Sequence, residues 1–300
     1  MKSKIFLGLW LVLSLFSNAV NAQNKDKIVL GGSYFVHNNM LNKVAEYLSD
    51  ELHVEVEIKS YDKTSRLHDD IKDHVVDILI MNSYGYVYAH ASYPEYSAFA
   101  ALGKNKTLDS YKSCIITQAD SKIKNITQLK ENAAEVDMRF VHPTSTSGHI
   151  VPRYELRKEG LTQAEMNFKS LELAGSQEKA IMQVVNGEAT AAACGKSTLG
   201  YLLEQGKIKD DQYQIIWTSH DIQGAPIVFN KNLPGELKQQ IKEAFINMED
   251  NAPELMQFIR DSFHSSGSNF IEVNDSNYDI IRNMASSMDD LILFLNFYLQ

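Results

Sequence analysis

The sequence predicts an α/β protein, because short apolar strands alternate with amphipathic helical stretches along most of the chain. Three patterns carry this reading. Lys27 to Gly32 is a short apolar run that ends on two glycines. Leu41, Val44, Ala45, Leu48 and Leu52 recur at i, i+3, i+4, i+7 and i+11, which is one face of a helix. Asp77-Ile78-Leu79-Ile80-Met81 is a continuous apolar run, too short for a helix but suited to the middle of a parallel sheet.

The remaining elements follow in order. Strict alternation from His53 to Lys59 puts Val54, Val56 and Ile58 on one face and Glu55, Glu57 and Lys59 on the other, a half-buried strand. Leu67 and Ile71 mark a short helix. A strand is predicted around Ser113 to Thr117, after which the alternation begins afresh: a short helix at Leu129, a strand at Val136, Met138 and Phe140, and a helix from about Val151 to Glu159 that Gly160 stops. Ala180, Ile181, Val184 and Val185 predict a helix ending at Asn186-Gly187, and Ala189 to Cys194 a small-residue strand. Beyond Ile215 and Ile227-Val228-Phe229 the chain turns helical, with Pro234 near one helix start and Leu237, Ile241, Ala244, Phe245 and Met248 on its inner face. Further helices are expected at about 252–263 and from Ser276 onward. Leu291 to Leu299 is apolar but too short to span a bilayer, so it is expected to pack on the body.

Lys2 and Lys4 precede the apolar run Ile5 to Phe16, and Val20-Asn21-Ala22 supplies a small-residue cleavage site, so residues 1–22 read as a secretory signal peptide. The expected mature chain starts near Gln23 in an exported compartment, the periplasm. Without Lys2 and Lys4, 27 basic residues face 38 acidic ones, a net charge of −11, which argues against nucleic acid and anionic lipid as partners. Cys114 and Cys194 lie in apolar strand-like stretches and read either as a disulfide or as buried free thiols.

The segment richest in chemistry is His142-Pro143-Thr144-Ser145-Thr146-Ser147-Gly148-His149-Ile150-Val151-Pro152, after one strand and at the start of a helix. Free backbone N–H groups at a helix start attract anions. Three consecutive hydroxyls add donors for a tetrahedral oxyanion, and Gly148 allows close backbone approach. The same string also reads as an ordinary Ser/Thr N-cap.

In this context the chain resembles the phosphonate, phosphite and phosphate-binding proteins of ABC importers. The resemblance rests on Tyr61, the Asp77 to Met81 run followed by Tyr86 and Ala89, Ala119-Asp120-Ser121-Lys122-Ile123, the box from Ser145 to Pro152, Ala174-Gly175, Asn186-Gly187-Glu188-Ala189 and Asn232-Leu233-Pro234-Gly235-Glu236-Leu237-Lys238. It covers roughly Ile28 to Met248. It implies a type II periplasmic-binding-protein fold: two Rossmann-like lobes, 27–112 plus 222–300 and 113–221, joined by a two-strand hinge with the ligand cleft between them. It further implies a monomer that captures a phosphorus oxyanion and delivers it to a membrane permease. Ser145, Thr146, Ser147 and Gly148 would grip the oxyanion, Tyr61 and Tyr86 would reach it from the other lobe, and Gln177 would donate a hydrogen bond. No cofactor and no metal is implied.

Three departures from the family pattern bear on the ligand. Asn82-Ser83 stands where Gly-Pro is common, Ser176-Gln177 where a His follows Ala-Gly, and Gly195-Lys196 where some members place an acid. A cation at Lys196 favours a ligand without an ammonium group, such as phosphate, phosphite or a simple alkylphosphonate.

Other chemistries find little support. Cys194-Gly195-Lys196-Ser197-Thr198 imitates the end of a nucleotide-binding P-loop, but Thr190 stands where its first glycine belongs. No His/Cys metal spacing and no G-x-S-x-G elbow occurs, so the chain is not expected to be an enzyme. Two readings compete with import: an exported sensor of the same fold that signals to a membrane receptor or kinase, and an exported enzyme acting on phosphorylated compounds.

Overall fold

The computed structural model describes residues 25–162 and 164–286. The N-terminal run read as a signal peptide and the apolar stretch Leu291 to Leu299 lie outside these residues.

The chain opens as β1 (Lys27–Gly32), α1 (Asn38–Leu52), β2 (Glu55–Ser60), α2 (Thr64–Lys72), β3 (Ile78–Ile80), α3 (Ser83–Ser92), β4 (Tyr96–Lys104) and the short β5 (Thr107–Leu108). A second series follows: β6 (Ser110–Gln118), α4 (Ile126–Glu131), β7 (Asp137–Phe140), α5 (Val151–Lys158), α6 (Ala164–Asn167), β8 (Ser170–Leu173), α7 (Gln177–Val185), β9 (Ala191–Gly195), α8 (Lys196–Glu204) and β10 (Tyr213–Gln223). The chain ends its described part with β11 (Pro226–Asn230), α9 (Gly235–Ile246), α10 (Met248–Asn251), α11 (Pro253–Phe263), β12 (Asn269–Glu272) and α12 (Asp279–Ser286).

Two sheets result. The first has the order β12-β4-β11-β3-β1-β2, with β5 attached to β4; the second has the order β10-β6-β9-β7-β8. In the first, β1 lies parallel to β2 and β3, and β11, β4 and β12 add antiparallel. The second repeats the plan, with β7 parallel to β8 and β9, and β6 and β10 antiparallel. The alternating pattern of the sequence therefore becomes two α/β sheets, each with helices on both faces. Parallel strands buried on both sides read as unbroken apolar runs, as β3 and β9 do.

The helical faces bury as their periodicity predicts. Leu41, Val44, Leu48 and Leu52 of α1 join Leu237, Ile241, Ala244 and Phe245 of α9 in one core cluster on the first sheet. The tail departs from an all-helical reading, because β12 pairs antiparallel with β4 through Phe270↔Leu102. Among the described residues, no helix is long and apolar enough to cross a membrane.

The chain crosses between the sheets twice, from β5 to β6 and from β10 to β11. The crossings are tied together, since the Gly224 N–H donates to the Asp109 carbonyl at 2.9 Å. Cys114 and Cys194 face each other across the β6/β9 ladder, fully buried, as free thiols with their sulfurs 3.4 Å apart. The contact with Cys114, then burial, pushes the Cys194 thiol up.

Candidate functional site

The carboxyl ends of β1, β3, β7 and β9 point toward the gap between the sheets, which is where α/β sheets hold ligands. The loops there line a cavity of about 650 Å³. Four helical N-termini converge on its floor. Asn82 caps α3 by accepting from the Gly85 N–H at 2.8 Å, Ser145 caps the wide turn Thr146–Ile150 that leads into α5, Ser176 caps α7, and Gly195 precedes α8. Each first turn leaves N–H groups without intrahelical acceptors and carries partial positive charge.

At Ser145 the N-cap of the Ser-Thr-Ser box is present at the cavity wall. The Ser145 Oγ accepts from the Gly148 N–H at 3.2 Å, an N-cap, and the residue also lines the cavity. Ser147 Oγ accepts from Gln177 Nε2 at 3.2 Å, while Gln177 Oε1 accepts from the Gly195 N–H at 2.8 Å. A hydroxyl has one proton and two lone pairs. Protein donors thus occupy oxygen lone pairs on Ser145 and Ser147, and on the cavity side these hydroxyls meet those of Tyr34 and Tyr111. Ser113 fixes the backbone from behind by donating to the Ser147 carbonyl at 2.6 Å.

Thr146 does something different. Its Oγ1 accepts from the Tyr84 N–H at 3.0 Å and donates to Asn82 Oδ1 at 3.2 Å, so it pins the second sheet's box to the start of α3 beside the first sheet. That leaves Asn82 Nδ2 buried with no hydrogen-bond partner, beside the cavity that Asn82 lines.

Gly148 does not line the cavity. It needs to be glycine for another reason, since a Cβ there would meet Val141 Cγ2 at 2.3 Å and Val141 Cβ at 2.6 Å. Its close approach is to β7's exit, behind the box, rather than to a ligand.

Neither sequence-chosen tyrosine reaches the cavity. Tyr86 is fully buried on the far side of α3, where its hydroxyl donates to Asp275 at 2.7 Å and its ring meets Tyr278 edge-on at 5.1 Å. Tyr61 donates to Asp70 at 2.8 Å and borders a small adjoining crevice with Asn82 and Thr144. Besides Tyr201 of α8, Tyr34, in the loop after β1, and Tyr111, at the start of β6, line the cavity. Burial pushes the Tyr34 and Tyr111 phenols up, Tyr111 to about 12; the Ser145 hydroxyl at Tyr34, and the Ser147 and Thr146 hydroxyls at Tyr111, act in the opposite sense. Both remain protonated donors at neutral pH. Position after a strand-terminal Gly-Gly was the available signal for Tyr34; nothing local marks Tyr111.

The histidines flanking the box are neutral. Burial pushes His142 down to about 4, with Nδ1 accepting from the Thr144 N–H at 3.2 Å. Burial, then Arg153, pushes His149 down to about 3; its Nδ1 bonds the Pro143 carbonyl at 2.9 Å and its Nε2 lies 3.3 Å from Arg153. Of the charged side chains lining the cavity, Lys112 pairs with Asp221, Glu178 with Lys207, and Asp109 accepts from Ser266 at 2.9 Å and from Ser265. Lys196 is exposed and has no ionic partner among the described residues. The cation read from the sequence thus does face the cleft, but two carboxylates share its walls. No group of three or more His, Cys, Asp or Glu that could hold a metal occurs among the described residues.

The family model for the periplasmic substrate-binding protein of phosphonate ABC transporters matches residues 36–278. The phosphonates-binding periplasmic protein of Escherichia coli is 31% identical over 137 residues, 46% of this chain and 40% of that protein. The phosphate-import protein PhnD of Mycolicibacterium smegmatis is 25% identical over 177 residues, 57% of this chain and 54% of that protein. The matches thus span about half the length of these relatives or less. Among solved structures, a binding protein component of an ABC phosphonate transporter from Pseudomonas aeruginosa aligns with a TM-score of 0.74 at 22% identity, covering 90% of this chain and 88% of that one. PhnD1 from Prochlorococcus marinus, solved in complex with methylphosphonate, aligns with a TM-score of 0.74 at 19% identity over 88% and 98%. The architecture is the type II periplasmic-binding-protein fold.

Proposed function

This chain belongs to the periplasmic substrate-binding proteins of phosphonate ABC transporters, and from that premise we propose that it captures a phosphorus oxyanion in the cleft and delivers it to a membrane permease. The observation that carries the reading is the wiring of the box: Ser145 and Ser147 have their oxygens engaged by Gly148 and Gln177 and share a hydroxyl network with Tyr34 and Tyr111 on the cavity wall. Asn82 Nδ2, the tyrosine hydroxyls of Tyr34 and Tyr111, and the converging helix starts add neutral donors around the same point. Such an arrangement holds an anion without a buried cation, so a net acidic protein can still bind one.

On this reading the phosphonate, phosphite or phosphate group sits over Ser145, Thr146 and Ser147, with Gln177 orienting the serines. Residues 27–112 plus 222–300 and residues 113–221 act as lobes that close about the Asp109/Gly224 crossings. The protein works as a monomer in the periplasm after cleavage near Ala22, and transport needs no covalent step. The family relatives are transport proteins, which supports binding and release over turnover.

The test is titration calorimetry on the chain stripped of ligand by unfolding and refolding, with phosphate, phosphite, methylphosphonate and sulfate, beside a Ser145→Ala/Ser147→Ala variant. Hydrogen bonds to a charged group are worth about 1.5–3 kcal/mol each, so losing both predicts at least about a hundred-fold weaker binding. Undiminished affinity in the double variant would refute the assignment of the box.

A further inference from the structure

The chain has two cysteines, Cys114 and Cys194, and the oxyanion site uses neither. The structure holds both as fully buried thiols, 80 residues apart in sequence. The antiparallel β6/β9 ladder sets them directly opposite each other, with their sulfurs in contact at 3.4 Å. Residues opposed in this way have Cα atoms about 4.5 or 5.5 Å apart, depending on the pair type. Both spacings lie inside the range of about 4.4–6.8 Å over which cysteines bridge. The backbone register thus suits a cross-strand disulfide, and no third thiol competes for either partner.

The pair lies between two residues that support the box. Ser113, next to Cys114, donates to the Ser147 carbonyl at 2.6 Å, and Gly195, next to Cys194, donates its N–H to Gln177 Oε1 at 2.8 Å. The sulfurs share an apolar cluster with Val141, Ile181 and Leu199. A link between β6 and β9 here would fasten the strands from which both supports come.

We propose that Cys114 and Cys194 are joined by a disulfide in the exported chain. This rests on the reading of residues 1–22 as an export signal, because thiols are kept reduced in the cytosol and oxidise outside it. Two S–H bonds break and one S–S bond forms. The two electrons reduce the disulfide of a protein or glutathione oxidant to two thiols, which take up the two protons. Full burial of both sulfurs places this exchange before the second sheet has packed. The closed loop runs from β6 through the box to β9, and closing a long loop restricts the unfolded chain most.

The test counts thiols by alkylation in denaturant and mass spectrometry, on the full chain recovered from the periplasm of an expressing bacterium. No alkylated cysteine is expected before reduction and two after it. The oxidised chain should melt at least about 5 °C above the same chain refolded in dithiothreitol, and Cys114→Ala/Cys194→Ala should show no such difference. Two alkylated cysteines in the periplasmic chain would overturn the proposal. A chain retained in the cytosol would instead refute the export reading, and refolding the reduced chain in a glutathione redox buffer then decides the pairing: loss of both thiols supports it, and two remaining thiols overturn it.

Discussion

The box and the rest of the cleft wall are held in different ways. At the box, polar atoms are held by named partners: Ser145 by Gly148, Ser147 by Gln177, Gln177 by Gly195, Thr146 by Asn82 and Tyr84. Elsewhere the lining mixes the rings of Phe35, Phe263 and Tyr201 with Ser262, His264, Ser265 and Ser266, and Tyr201 is held by stacking on His264. Directional donors define which group is recognised, whereas non-directional apolar contact defines how much else can be accommodated. The box should therefore tolerate less change than the rest of the cleft wall.

The largest expected effect lies behind the box. Gly148→Ala drives a methyl into Val141, and overpacking of this kind costs about 1–3 kcal/mol. Chemical denaturation should show that loss, and the pair Gly148→Ala/Val141→Ala should recover part of it. Equal stability of the single variant would show that the turn behind the box is not tightly packed.

Next in size, the tyrosines separate the cleft from the core. Tyr34→Phe and Tyr111→Phe each remove a donor that faces the cavity and should weaken oxyanion binding several-fold, at about 1 kcal/mol per hydrogen bond. Tyr86→Phe breaks the bond to Asp275, outside the cavity, and should lower the unfolding free energy by a similar amount while affinity stays the same. Reversal of that pattern in binding assays would return Tyr86 to the ligand.

The smallest effect concerns pH. His142 and His149 are held near 4 and 3 in the folded protein, below the ordinary value of about 6.5 that the unfolded chain would show. The unfolded state thus binds more protons over that interval, so stability is full above about pH 6.5 and declines as pH falls toward 4. The melting temperature should follow that course, and His149→Gln should flatten it. A melting temperature that rises on acidification would contradict the buried neutral histidines.

Much of the fold was legible, and the reasons for the gaps are local. The strict periodicity of α1 and α9 and the apolar runs of β3 and β9 appear in the sequence because each buries against the first neighbour it meets. β4 is not legible in this way, since Ala98, Ala100 and Ala101 favour helices and pairing with β11 and β12 makes them a strand. β12 offers only Phe270-Ile271 as an apolar signal, and its partner lies far back in the chain. In the candidate site, Ser145, Thr146 and Ser147 stood out by type and spacing and Gln177 through the family resemblance, and the structure brings all four to the cavity. Tyr86 and Tyr34 are alike as residues; only the orientation of α3 turns one toward Tyr278 while the loop after β1 brings the other to the box. The role of Gly148 depends on Val141, a contact that no pattern within the helix start discloses.

If neutral donors at the box hold a phosphorus oxyanion out of solvent, the ³¹P spectrum of a stoichiometric mixture of methylphosphonate and stripped protein reports it. A separate bound resonance is expected, its position fixed between about pH 6 and 9 while the free signal titrates, because neither Tyr34 nor His142 changes charge in that interval. A single averaged signal that titrates like free ligand, unchanged by Ser145→Ala/Ser147→Ala, would contradict it.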